Sequence, residues 1–200
     1  TFPVRIQAVH DGATAIRNHG DDPAGFTAAL RERNEDRFFF DHVKFFADGG
    51  FLDMAGQTGW PGPIGGQQML WNTPNGVPPQ DMWESMLPFW KAGIDIHVHV
   101  VSDLGFDAVI NSLARLQMAH PRFDHRFTAE HVGIAHPHQL RRFASLGGQI
   151  SNNIYYVYYR AERYAKVGYG PDRSYHMSPL GDVVRAGIPF AVHSDMTIGP

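Results

Sequence analysis

The chain has 200 residues, a formal net charge of −3, 43% hydrophobic and 18% charged residues, and no cysteine. That length supports one sizeable core and one globular domain. No Lys/Arg block is present to neutralise phosphates, which argues against nucleic acid as the main partner, and no apolar run approaches the roughly 20 residues of a membrane helix. Without thiols there are neither disulfides nor thiolate metal sites, so any metal must be held by imidazole, carboxylate or a modified lysine. No basic segment leads into an apolar core, so no signal peptide is expected in this stretch.

Taken in chain order, β-branched apolar runs alternate with helical patterns. Pro3 to Val9 reads as a strand; Asp22 then caps a helix that has Pro23 at its first position and a body from Ala24 to Arg33. His42 to Ala47 is the next strand. The Gly/Pro-rich stretch from Gly49 to Pro79 is long for a connection in a compact domain and reads as a functional or mobile loop. Gln80 to Lys91 is a helix, kinked at Pro88 and stopped by Gly93. Ile94 to Val101 is a strand, and Asp103 caps a helix from Gly105 to Met118 with Phe106, Val109, Ile110, Leu113 and Leu116 at helical spacing. Arg126 to His131 is a short strand, Pro137 opens a helix ending at Gly147-Gly148, and Gln149 to Ile154 is another strand. The tyrosines at 155, 156, 158 and 159 read as packing for a loop or pocket wall. Pro179 opens a helix to Ala186, and Ile188 to His193 is the last strand.

About six strand–helix units at this spacing predict an α/β fold with a parallel sheet, either open and doubly wound or closed as an eight-stranded barrel. No G-x-G-x-x-G follows a strand, and the glycines at 62, 65 and 66 lie in the long loop, so a dinucleotide fold gains no support.

The informative feature is what each apolar run ends in. Lys44 and Asp48 mark the second strand, His97, His99 and Asp103 the third, Glu130 and His131 the fourth, and His193 and Asp195 the last. In a parallel barrel these ends converge on one face, where catalytic groups sit. Imidazoles, a carboxylate and a lysine around one point suit zinc or a similar divalent ion. His97 and His99, two residues apart, share one face of their strand, and that pair could bind a metal by itself.

Four segments in order carry a resemblance to the amidohydrolase superfamily, within it the amidohydrolase-3 group related to N-substituted formamide deformylases. Val43-Lys44-Phe45-Phe46-Ala47-Asp48-Gly49 resembles V-K-x-F-x-D-G, and His99 to Asp103 resembles H-A-I-G-D with Ser102 in place of Gly. Arg126 to His131 resembles R-x-x-I-E-H with Ala129 in place of Ile, and Gly187 to Asp195 resembles G-V-x-x-A-x-G-S-D with His193 in place of Gly. The resemblance implies a metal-dependent TIM-type (β/α)8 hydrolase barrel of which strands 3 to 8 are present. Residues 1–200 would then form a single catalytic domain lacking strands 1 and 2, the H-x-H pair that the group carries at the end of strand one, and the accessory β-sandwich. Such a piece is expected to be part of a longer chain or completed by partner segments, and to be unstable and inactive alone.

The resemblance further implies one or two divalent ions, usually zinc. His99 and His131 match its strand-five and strand-six ligands, Asp195 its metal-binding proton shuttle, and Lys44 its bridging lysine, which can be carboxylated. His97, Trp60, Asn153 and His193 are candidate contacts to a small-molecule substrate, with His193 also a candidate added ligand. The implied reaction is hydrolysis of an amide, formamide or cyclic amide C–N bond by metal-activated water, with Asp195 passing the proton and His131 steadying the oxyanion. Hydrolysis of esters or phosphoesters on the same barrel, sugar isomerisation, or a metal-poor binding protein are the alternatives. A homo-oligomer is compatible with the sequence.

Overall fold

The computed structural model describes residues 4–59, 62–64 and 81–195. Six strands lie in one all-parallel sheet: β1 (Ile6–Asp11), β2 (Phe38–Phe46), β3 (Asp95–Val100), β4 (Thr128–His131), β5 (Gln149–Asn153) and β6 (Phe190–His193). Their spatial order is their chain order. A doubly wound sheet reverses direction at a switch point; this one never does, so it is an arc of a barrel with β1 and β6 at its two edges.

Period-2 alternation gives the arc two unlike faces. Val43 and Phe45 of β2, and Ile96, Val98 and Val100 of β3, are buried against the helices in the main core. Burying each such side chain favours folding by about 1.5–3 kcal/mol. The residues between them, His42, Lys44, Asp95, His97 and His99, face the inside of the arc and are only partly covered. Exposed apolar side chains gather on the edge strands, with Phe190 at 45% and Val192 at 51% on β6 and Ile6 at 42% on β1. The expected incomplete barrel is what the described residues form.

The helices follow the sequence with several differences. Asp22 caps α2 (Pro23–Ala29) by accepting from the Gly25 amide, and a 3-10 turn (Leu30–Arg33) completes the expected helix. An additional helix, α1 (Gly12–Asn18), precedes it; Asp11, the last residue of β1, caps it by accepting from Thr14 N, a local signal hidden by the short body. The helix α3 (Met82–Lys91) retains Pro88 within it. The cap of α4 (Asp103–Ala119) is Ser102, whose hydroxyl accepts from Gly105 N; Asp103 is the first helical residue instead. His136 and Gln139 close the start of α5 (Pro137–Ser145) as a capping box.

The tyrosine run is not loop. It starts α6 (Tyr155–Val167), followed by the short α7 (Pro171–Tyr175) and α8 (Leu180–Arg185). Gly93, Gly147 and Gly187, with φ of 72°, 79° and 70°, end the helices before β3, β5 and β6 in a left-handed conformation that glycine adopts without steric cost. Of the long connection after β2, residues 49–59 and 62–64 are described, with Phe51 and Thr58 buried; Trp60 and Trp71 lie outside the described residues.

Candidate metal centre

Most of the sequence-predicted polar residues lie near or just beyond the C-terminal ends of their strands, in two tiers fixed by register, with His97, third of six in β3, at mid-strand. In the lower tier Lys44 pairs with His97 and His97 with Thr128; one step up, His99 pairs with Glu130, Val100 with His131 and Asn153 with His193.

The Glu130 side chain, reaching from one step up, joins the lower tier into a hydrogen-bonded chain. Lys44 Nζ donates to Glu130 Oε2 at 2.9 Å, and His97 Nδ1 donates to Glu130 Oε1 at 2.6 Å. Burial opposes ionisation of Glu130, but the hydrogen bond from His97 and the charge of Lys44 outweigh it and hold the carboxyl well below its usual range. An ionised carboxylate only accepts, which fixes both donors. The other ring nitrogen of His97 meets His42 Nδ1 at 2.6 Å. His42 is lowered to about 4 by burial and the neighbouring His97. Both nitrogens of His97 are thereby engaged within the protein.

The upper tier is different. The ring of His131 lies 4.6 Å from that of His99 and 4.9 Å from that of His193, and His131 Nδ1 is 3.9 Å from Asp195 Oδ2. One donor atom each from His131, His193 and Asp195 lie within 4.8 Å of one another, the group among the described residues with metal-holding geometry. His131 Nδ1 is buried and has no hydrogen-bond partner among the described residues. Burial, then the neighbouring His99 and Lys44, drives its pKa far below the ordinary imidazole value, leaving a lone pair free to ligate. His99 Nε2 donates to the Gly49 carbonyl at 2.9 Å, which leaves Nδ1 as its unprotonated nitrogen. Neutral imidazoles and a carboxylate are the donors a divalent first-row ion takes, so these residues fit such an ion. Lys44 stands one tier below with its nitrogen on Glu130.

Backbone strain concentrates here. His131, Val132 and Asp195 adopt φ of 73°, 44° and 55°, conformations costly for side-chain-bearing residues. Asn152 holds the first two: its Nδ2 donates to the His131 carbonyl at 2.8 Å and the Val132 carbonyl at 3.2 Å. Asn153 is fully buried, its Oδ1 accepts from Tyr155 N, and its side chain also lies beside the Tyr156 hydroxyl.

Asp48 supports the rim. It accepts from the amides of Val101 and Ser102 and from the Ser102 hydroxyl, and its Oδ1 lies 3.8 Å from His99 Nε2. Burial pushes its carboxyl up to about 7. Sequence reasoning placed Asp48 and Glu130 at strand ends without a task for either. The positions of Lys44 and His97 on the inward face were the available signal for Glu130; nothing local pointed to Asn152 as a backbone clamp.

Two solved structures share the fold. An uncharacterized metal-dependent hydrolase from Pyrococcus furiosus matches 98% of this chain with a TM-score of 0.73 at 16% identity, the match covering 38% of that protein. One from Pyrococcus horikoshii OT3 matches 98% of this chain with a TM-score of 0.68 at 13% identity, covering 42% of that protein. The chain therefore spans about two-fifths of the length of either. No curated protein sequence matches it. The sequence model of the amidohydrolase family matches residues 2–200; the chain belongs to the amidohydrolase family.

Proposed function

We propose that the protein is a metal-dependent hydrolase of a C–N bond in an amide, formamide or cyclic amide, with His99, His131 and Asp195 holding the ion. Zinc suits that set of imidazole and carboxylate donors best. A bound divalent ion would polarise the substrate carbonyl and lower the pKa of a water to about 7. Asp195, 47% exposed at the side chain, accepts a proton at Oδ2 from the attacking water and returns it to the leaving nitrogen. His131, buried and held neutral, keeps its ring in place through the Asn152 clamp on its carbonyl.

The observation that carries this reading is the buried, partnerless His131 Nδ1 facing the Asp195 carboxylate at 3.9 Å. A buried polar atom with no partner is disfavoured in a native fold unless something fills the role. The Lys44–Glu130 bond argues for a single ion, because a carboxylated Lys44 bridging two ions would have to leave Glu130. His97, with both nitrogens engaged, positions Glu130, and we assign His193 and Asn153 to contact with a small-molecule substrate. Asp195→Asn tests the assignment: the fold should survive by circular dichroism, and turnover of an amide substrate should fall by about 10²–10⁴-fold. Turnover at the wild-type rate would refute it.

A further inference from the structure

We propose that His193 is a hydrogen-bond donor to the substrate's carbonyl oxygen and not a metal ligand. The inference rests on the hydrolase reading above.

His193 is the last residue of β6, at the place where the resembled motif has glycine, so this chain has a group there that the motif lacks. Proximity alone would make it a ligand, since its donor atoms share the 4.8 Å cluster with His131 and Asp195. Hydrogen bonding decides otherwise. The backbone N–H of Asp195 donates to His193 Nδ1 at 3.2 Å. Nδ1 is then the unprotonated nitrogen, and a neutral ring carries its proton on Nε2. Ligation through Nε2 would need that proton removed as well, giving an imidazolate. Ligation through Nδ1 would break the bond that shapes the turn into Asp195, whose φ is 55°.

That leaves an N–H with no well-formed hydrogen bond. His193 Nε2 is buried and meets no acceptor within hydrogen-bond geometry among the described residues, although the Ser151 backbone lies close by, and its ring is 4.9 Å from the ring of His131. A preformed donor that gains its partner only as charge develops is how an oxyanion is stabilised. As the water oxygen bonds to the carbonyl carbon, the π pair moves onto the carbonyl oxygen. His193 Nε2–H donates to that oxygen and keeps its proton. When the C–N bond breaks the pair returns to the carbonyl, while Asp195 supplies the proton to nitrogen.

The test compares His193→Phe and His193→Gln with the wild-type protein, loaded with zinc, using formanilide and 4-nitroacetanilide as probes. We expect His193→Phe to hold zinc at wild-type stoichiometry with little change in KM, to lose about 10²–10³ in kcat, and to regain about tenfold when Gln supplies an N–H instead. In the ¹⁵N-histidine spectrum of the zinc-loaded wild type, the His193 signals should show a proton on Nε2. Loss of zinc from His193→Phe, or a metal-shifted His193 nitrogen, would overturn the proposal in favour of ligation. So would a wild-type kcat with a lowered melting temperature, which would mean that Nε2–H is spent on the nearby Ser151 backbone. If the zinc-loaded wild type cleaves neither probe, the hydrolase reading itself fails; cleavage insensitive to His193→Phe sinks only this inference.

Discussion

At the scale of single residues, the site separates groups that are satisfied from groups that are not. Glu130 is satisfied: it accepts from Lys44 and His97 and is largely shielded from water. Glu130→Gln would leave the Lys44 ammonium half-buried without its counter-charge and should cost about 1–3 kcal/mol in a denaturant titration at neutral pH. Because folding depresses this carboxyl, its contribution is complete above the unfolded value near 4.3 and is lost as pH falls through the folded one. The deficit of the variant should therefore shrink below about pH 4; an undiminished deficit there would contradict the assigned ionisation. Polar residues in or after the apolar runs pointed to a wider set, including Asp48, His97, Glu130 and His193, and the family resemblance narrowed it to Lys44, His99, His131 and Asp195. Neither showed that Lys44 and His97 belong to one bonded chain one tier below His131, since that depends on inter-strand register, which sequence spacing does not fix.

At the scale of elements, caps and clamps carry the site. Ser102 starts α4 and also donates to Asp48, tying the end of β3 to the rim after β2. Ser102→Ala removes both bonds and should cost at least about 1 kcal/mol; an unchanged unfolding midpoint would show that neither matters. Asn152→Ala removes the two donors that hold the His131 and Val132 carbonyls. It should weaken zinc affinity measured by chelator competition about 10–100-fold, the usual effect of losing an outer-shell partner of a ligand. The long, periodic elements β3 and α4 were legible from sequence within two residues at each end. The helix α6 was not, because the tyrosines at 155, 156, 158 and 159 and several charged residues blur an apolar stripe of which only Tyr156 and Tyr164 are buried. The seven-residue α1 was too short to show a period.

At the scale of the whole molecule, burial sets how the fold responds to acid. His10, His42, His99, His125, His131 and His193 are all held below the ordinary imidazole value, burial being the largest cause in each. For a base depressed by folding, the stabilisation is complete above the unfolded value near 6.5 and is lost as pH falls toward the folded ones. Asp48 and Asp95, raised by burial, pull in the opposite direction, but two carboxyls oppose six imidazoles. The melting temperature should therefore fall between pH 7 and pH 5, and a flat or rising profile would contradict this. The sheet order was legible once the barrel was expected, because consecutive strand–helix units with one hand of crossover leave few alternatives.

The central claim is that His131 and Asp195 hold a metal ion, and the metal content of the purified protein tests it most directly. After dialysis against zinc and removal of free ion, the wild type should retain about one equivalent per chain, and His131→Ala and Asp195→Ala should each lose most of it through removal of a ligand. Near-zero zinc in the wild type, or full retention in both variants, would contradict the account.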